Sequence, residues 1–343
     1  MAMANGDETM NWNELDIIDW LTMHSAASLS GEPTVIVGPG DDAAVVRIDA
    51  AAENDVLFCA DAIAETIHFI LKDGDRSRST SPTTEPLVAA SEPYQIGWKL
   101  IAENISDIAA MGGTPRFSVA TCHSPKTIAS ETLKEIFKGL SDCARRFGVF
   151  HVGGDLIRSS DSLSLSLALI GDVPRGKALL RSGAKPGDRL FVTGSLGGSI
   201  LFKHHDFMPR IEEGKFLSKN GLASACIDIT DGLALDLTRL LRASGDLGVR
   251  LYADAIPVSD AARLVAATTG RSPLKCALSD GEDFELLFTV PDALADELPS
   301  RWSEHGGLAP LTSIGVICEP TDGRQLLDAN GNRTPLLSDG YVH

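Results

Sequence analysis

Between Ser162 and Leu169 the chain alternates without a break. Leu163, Leu165, Leu167 and Leu169 interleave with Ser162, Ser164, Ser166 and Ala168. A period of two puts all four leucines on one face of an extended strand, and that face must be covered. The chain therefore contains a half-buried sheet. Its serine side is only mildly polar, suiting either ordinary packing or a second chain.

Other segments supply the partners. Val35–Val37, 44–48 and 55–60 read as strands, as do 117–122 and 149–152. Trp98, Ile101, Ala102, Ile105 and Ala109 recur at helical spacing, and that helix stops at Gly112-Gly113. A second helix is expected over 130–147, after a polar loop over 70–93 whose Arg76 and Arg78 could reach an anion. Gly183 to Asp188 punctuates the chain before a strand at 189–193, and later strands fall at 286–290 and 312–317. Helices are expected near 233–241 and 259–268. Strands mixed with helices give an α/β (α+β) class, and 343 residues suffice for two domains. The expected division is a flexible leader and first helix over 1–25, an N-terminal domain over 26–180 and a C-terminal α/β domain over 181–343.

The acids have a pattern of their own. Asp41-Asp42 follows Gly38-Pro39-Gly40, and Asp61 is expected just past an apolar strand. Asp107 shares a helix with Asn104, and Asp155 closes a turn Gly153-Gly154-Asp155. Asp228 and Asp231 flank a strand-to-helix turn, and Glu282-Asp283 precedes the strand at 286. Any one of these could be a solvated turn. Six such sites beside glycine or at element ends point instead to a shared hard-cation site, favouring magnesium or manganese over zinc. With 47 acidic against 30 basic residues, a net charge of -17, binding to nucleic acid or an anionic membrane is not expected. An acidic protein holding phosphates needs divalent cations to do so.

The remaining candidates are open. His68 beside Phe69 is either a core-edge histidine or a contact to a second substrate. Arg181 is either a phosphate-binding cation or an ordinary ion pair, and Tyr341 either closes over a ring or simply packs. The turn Gly194 to Ser199 could touch phosphate but lacks the lysine of a Walker loop. No apolar run approaches the ~20 residues that cross a bilayer, and no secretory signal is read at the start. Six scattered cysteines fit a reducing compartment, so the cytoplasm is expected.

In order, GPGDDAAVV (38–46), WKLIAENISDIAAMGGTP (98–115), HVGGD (151–155), RSGAKPGD (181–188), VTGSLGG (192–198), IDITDGLALDL (227–237) and SDGEDFELLFT (279–289) resemble the thiamine-monophosphate kinases. Those enzymes share a superfamily with aminoimidazole ribonucleotide synthetase and selenophosphate synthetase. The resemblance implies a two-domain fold whose N-terminal mixed sheet pairs in a homodimer. It implies direct in-line transfer of a phosphoryl group from ATP to thiamine monophosphate, with several Mg²⁺ ions and no general base. Carried over by position, Asp42, Asp61, Asp107, Asp155, Asp228 and Asp231 would be metal ligands, with Asp42 and Asp107 the key electrostatic residues. Gly154, Arg181 and Thr230 would contact the nucleotide; His68, Glu282 and Tyr341 would contact thiamine monophosphate. Three departures stand out: Cys59-Ala60 replaces the family's Ser-Thr, the 70–97 loop is long, and the interval after Gly198 is short. They keep open another small acceptor, or an idle nucleotide-binding scaffold.

Overall fold

A computed structural model describes residues 34–72, 90–159, 162–337 and 340, together with Trp20 and Met23. The leader, most of the first helix, Arg76, Arg78 and Tyr341 lie outside the described residues.

The first half forms a six-stranded mixed sheet from β1 (Val35–Val37), β2 (Ala44–Val46), β3 (Asn54–Ala64), β4 (Thr114–Pro125), β5 (Phe150–Ser159) and β6 (Ser164–Pro174). Their order is β1-β2-β3-β6-β4-β5, and only β4 and β5 run parallel. The leucine–serine strand β6 is thus interior, with its leucines buried and its serine side partly open. Beside it, Leu57 and Ile63 of β3 are fully buried on the leucine side, and Cys59 and Asp61 share that parity.

Helix α1 (Pro93–Ala110) covers the leucine side, and α2 (Ser130–Arg146) packs on α1. The two helices touch backbone to backbone. A Cβ on Gly97 would lie 1.7 Å from the Ile136 carbonyl oxygen, and one on Gly139 would lie 1.9 Å from that of Tyr94. Only glycine permits that approach.

The second half builds a seven-stranded sheet from β7 (Arg189–Thr193), β8 (Ala225–Asp228), β9 (Gly248–Tyr252), β10 (Leu286–Val290), β11 (Leu311–Cys318), β12 (Arg324–Leu327) and β13 (Arg333–Pro335). The order is β13-β12-β9-β11-β7-β10-β8, with β12 and β9 the parallel pair. Every residue of β8 and β10 is buried, as continuous apolar runs require. In chain order the helices of this half are α3 (Lys203–Asp206), α4 (Ile211–Asn220), α5 (Leu233–Ala243), α6 (Asp260–Thr269), α7 (Pro273–Ser279), α8 (Asp292–Ala295) and α9 (Leu298–His305). The two halves share core: Phe207, Ile211 and Phe284 join the first cluster, and Ala110 of α1 joins Phe216 and Leu217 of α4. Helix α1 is therefore wedged between the sheets.

Several expectations are corrected. Helix α1 starts at Pro93 rather than Trp98, because proline suits a first helical position and the Glu92 amide donates to Gln95 Oε1 at 3.0 Å. Asp61 lies inside β3 instead of past its end, since the ladder with β6 continues to Ala64. Gly153-Gly154-Asp155 is no turn but the middle of β5, an edge strand. Glycine is needed there: a Cβ on Gly154 would meet the Ala120 carbonyl oxygen at 1.8 Å. The interval after Gly198 contains helix α4, which is not among the helices expected from the sequence.

Candidate active site

Carboxylates of Asp42, Asp107 and Asp228 bring one oxygen each within 4.8 Å of one another. They come from three places: the loop before β2, the last turn of α1, and the end of β8. Burial, reinforced by Asp61, Asp228 and Asp42, pushes Asp107 well above the usual carboxylate range. Asp228 is raised well above that range by burial and Asp42, against a bond from the Ser106 hydroxyl. Burial likewise raises Asp61, Asp107 beside it opposes the shift, and Asp42 adds to it. Burial and neighbouring Asp42 lift Asp41 to about 6.

Positive charge here comes from Arg181. Its Nε donates to Asp42 Oδ1 at 2.9 Å, and its backbone N–H donates to both Asp41 oxygens at 3.2 and 3.1 Å. Asp42 Oδ2 is buried without a hydrogen-bond partner. An anionic oxygen in that state is costly unless a cation satisfies it. All-oxygen donors, crowded and under-neutralised, fit a hard divalent cation such as Mg²⁺. Cys59 sits against this cluster, its thiol pushed far up by burial and by Asp107 and Asp61.

A second group of charges occupies the other end of α1. Lys99, fully buried, places Nζ 2.5 Å from Glu282 Oε1, 3.5 Å from Glu103 and 3.1 Å from the His68 carbonyl oxygen. Lys99, Glu103 and Asp107 follow at intervals of four, so they share one helical face. Eight residues separate Lys99 from Asp107, roughly 12 Å along the axis. His68 Nδ1 accepts from the Ala64 amide at 3.1 Å, so the neutral ring carries its proton on Nε2. The Glu282 amide donates to the Thr230 carbonyl at 2.6 Å, tying this end to the turn that follows Asp228.

The other sequence candidates are placed as follows. Asp231 ion-pairs with Arg239, and both its amide and that of Thr230 donate to Asp236, at 2.9 and 3.0 Å. Asp155 is exposed on β5, its Oδ1 accepting from the Leu156 amide at 2.9 Å, and Gly154 precedes it on that edge. Neither belongs to the three-carboxylate cluster. The Gly194 to Ser199 turn does not present bare amides to phosphate: Gly197 N–H donates to Asp283 and Gly198 N–H to Asp280. Sequence reasoning missed Lys99, Glu103, His204 and His205. Only the four-residue spacing of Lys99, Glu103 and Asp107 on a largely buried helix offered a signal.

Two mixed sheets with acidic groups meeting along a shared helix define the class, and the family comparison agrees. Residues 40–173 match the AIR synthase related protein, N-terminal domain. The curated thiamine-monophosphate kinase of Rhodopirellula baltica is 36% identical over 317 residues, covering 91% of this chain and 92% of that protein. That of Bacillus subtilis is 30% identical over 96% of this chain and 99% of its own. The solved structure of AaThiL complexed with AMPPCP and TMP is similar at a TM-score of 0.75 and 26% identity, covering 98% of this chain and 100% of that one. The chain belongs to the thiamine-monophosphate kinase family.

Proposed function

We propose that this protein transfers the γ-phosphoryl group of ATP to thiamine monophosphate, giving thiamine diphosphate and ADP. The observation that carries the reading is the meeting of Asp42, Asp107 and Asp228, with one buried oxygen of Asp42 unpartnered, in a chain of this family. These three carboxylates would hold Mg²⁺, with Asp61, Asp155 and Asp231 as further candidate ligands. Bound there, Mg²⁺ supplies positive charge to phosphate oxygens, which otherwise repel so acidic a cleft. Arg181, Thr230 and Gly154 are assigned to the nucleotide, and His68, Glu282 and Tyr341 to thiamine monophosphate.

The chain's own contribution is placement. The acceptor phosphate already carries an anionic oxygen, so no general base is needed, and alignment with the donor phosphorus is the main task. The Arg181 guanidinium, now on Asp42, can offer its remaining N–H groups to the nucleotide. Residues 26–180 and 181–343 are proposed as the two domains whose shared cleft holds both substrates.

The partner is proposed to be a second copy. Across four strands, Phe58, Ile170, Phe117 and Phe150 stand in one row of the first sheet. Phe58, Phe117 and Phe150 are 39%, 47% and 68% exposed. An apolar row of that kind favours a matching surface, and Phe117→Lys should shift a sedimenting dimer to monomer. Among the described residues no helix is long and apolar enough to cross a membrane. The cytoplasm, with its ATP supply, is the proposed setting.

The direct test mixes purified protein, ATP, Mg²⁺ and thiamine monophosphate and follows both products. Equal amounts of ADP and thiamine diphosphate are expected, with neither formed after EDTA. ADP without thiamine diphosphate would assign another acceptor; no product would refute the activity.

A further inference from the structure

Glu282 is held in an unusual way. Its φ of +53° lies in the left-handed region that non-glycine residues rarely adopt, and Phe284 two residues on is at +48°. Such a backbone persists only when its surroundings determine it. Here the surroundings are specific. Lys99 Nζ holds Oε1 at 2.5 Å, while His204 Nδ1 stands 3.3 Å from Oε2. Lys99 and His204 are enclosed, at 1% and 2% side-chain exposure, yet the Glu282 side chain itself is 29% exposed. The carboxylate is fixed from behind and open in front.

Behind His204 the contacts continue. Its Nε2 lies 2.6 Å from His205 Nε2, and His205 Nδ1 lies 3.3 Å from the Ser91 hydroxyl. Burial, followed by Lys99 and His205, pushes His204 down to about 2, so its ring is neutral. Ser91 can donate to His205 and His205 to His204, but the series ends there: His204 Nδ1, though 3.3 Å from Glu282 Oε2, makes no hydrogen bond to it. Burial would lower Lys99, but Glu282 and Glu103 outweigh it and keep the ammonium charged. The same ammonium donates to the His68 carbonyl at 3.1 Å. One buried cation on α1 therefore fixes both His68, from the first half, and Glu282, from the second.

We propose that Lys99 is a positioning residue that sets Glu282 and His68 at a fixed separation, so that the pair receives the thiamine monophosphate acceptor as one preformed site. This rests on the proposed acceptor roles of Glu282 and His68. Lys99 is not asked to touch substrate. Its effect is to remove conformational freedom from two residues on different halves, which a ligand would otherwise have to order on binding.

The test uses the full chain carrying Lys99→Met, or Lys99→Gln if the first does not fold; glutamine keeps an N–H donor but drops the charge. In either variant the KM for thiamine monophosphate should rise tenfold or more, while the KM for ATP stays within twofold. Hydrogen exchange supplies a readout independent of activity: amides of 64–69 and 281–284 should exchange faster in the Lys99 variants. An unchanged acceptor KM, or equal increases for both substrates, would overturn the proposal. So would wild-type exchange at both segments. Faster exchange in a protein whose wild type makes no thiamine diphosphate would leave the clamp standing and remove the acceptor assignment instead.

Discussion

The two ends of α1 treat acidic side chains in opposite ways. Around Asp107, three carboxylates crowd together with a single arginine, and one oxygen has no partner. Around Lys99, Glu282 has a buried ammonium at hydrogen-bond distance, and Glu103 shares the same ammonium. The first end is incomplete without outside charge; the second is finished by the chain itself. That contrast identifies which end waits for metal-bound phosphates and which is preformed. It also separates stability from function, because removing an acid should help the fold at one end while removing the cation should harm it at the other.

The largest expected effect breaks the self-neutralised end. Lys99→Met leaves Glu282 and Glu103 without their shared cation and should cost about 3 kcal/mol, the low end for breaking a buried pair since Glu282 is partly in solvent. Chemical denaturation checks it; a loss below about 1 kcal/mol would erase the contrast. At the open end, Asp107→Asn should lower turnover by roughly 10²–10³, the scale of losing one electrostatic element of a transition-state site. Without divalent metal the same variant should melt higher than the wild type, because a like-charge repulsion is gone.

A smaller effect appears with pH. Burial raises the folded pKa of Asp41 to about 6 and of Asp236 and Asp283 to about 7. Each binds its proton more tightly folded than unfolded, so the stability it contributes is full below the unfolded value near 4 and is lost as pH rises through the folded one. Metal-free protein should therefore melt lower at pH 8 than at pH 5. Added Mg²⁺ should raise the melting temperature more at pH 8, where protons no longer compete for the carboxylates. The smallest effect concerns Asp155, exposed on the edge strand: Asp155→Asn should change metal-free stability by less than about 0.5 kcal/mol.

Much of this was legible in the sequence where a short-range rule applied. The leucine–serine alternation marked β6, and helical spacing marked most of α1. The acids Asp42, Asp107 and Asp228 were legible as a group because each stood beside an apolar element or glycine. What failed depended on distant partners. Gly153-Gly154-Asp155 has the composition of a turn, yet pairing with β4 draws it straight, and the demand on Gly154 comes from Ala120. The Gly194 to Ser199 turn resembled a phosphate loop because nothing nearby announced that Asp280 and Asp283 would take its amides. His204 lies in the interval after Gly198, and its place beside Glu282, far along the chain, appears only in the fold. Lys99 was one of several charges in a helix until the second half closed over it.

The central claim is that three separated acids form one cation site. Mn²⁺ binding, followed by the loss of the free-ion electron paramagnetic resonance signal, tests it most directly on wild type and on the folded triple variant Asp42→Asn, Asp107→Asn and Asp228→Asn. The wild type should bind Mn²⁺ and be competed by Mg²⁺, and the triple variant should lose at least one of those ions. Equal Mn²⁺ binding by both proteins would contradict the account.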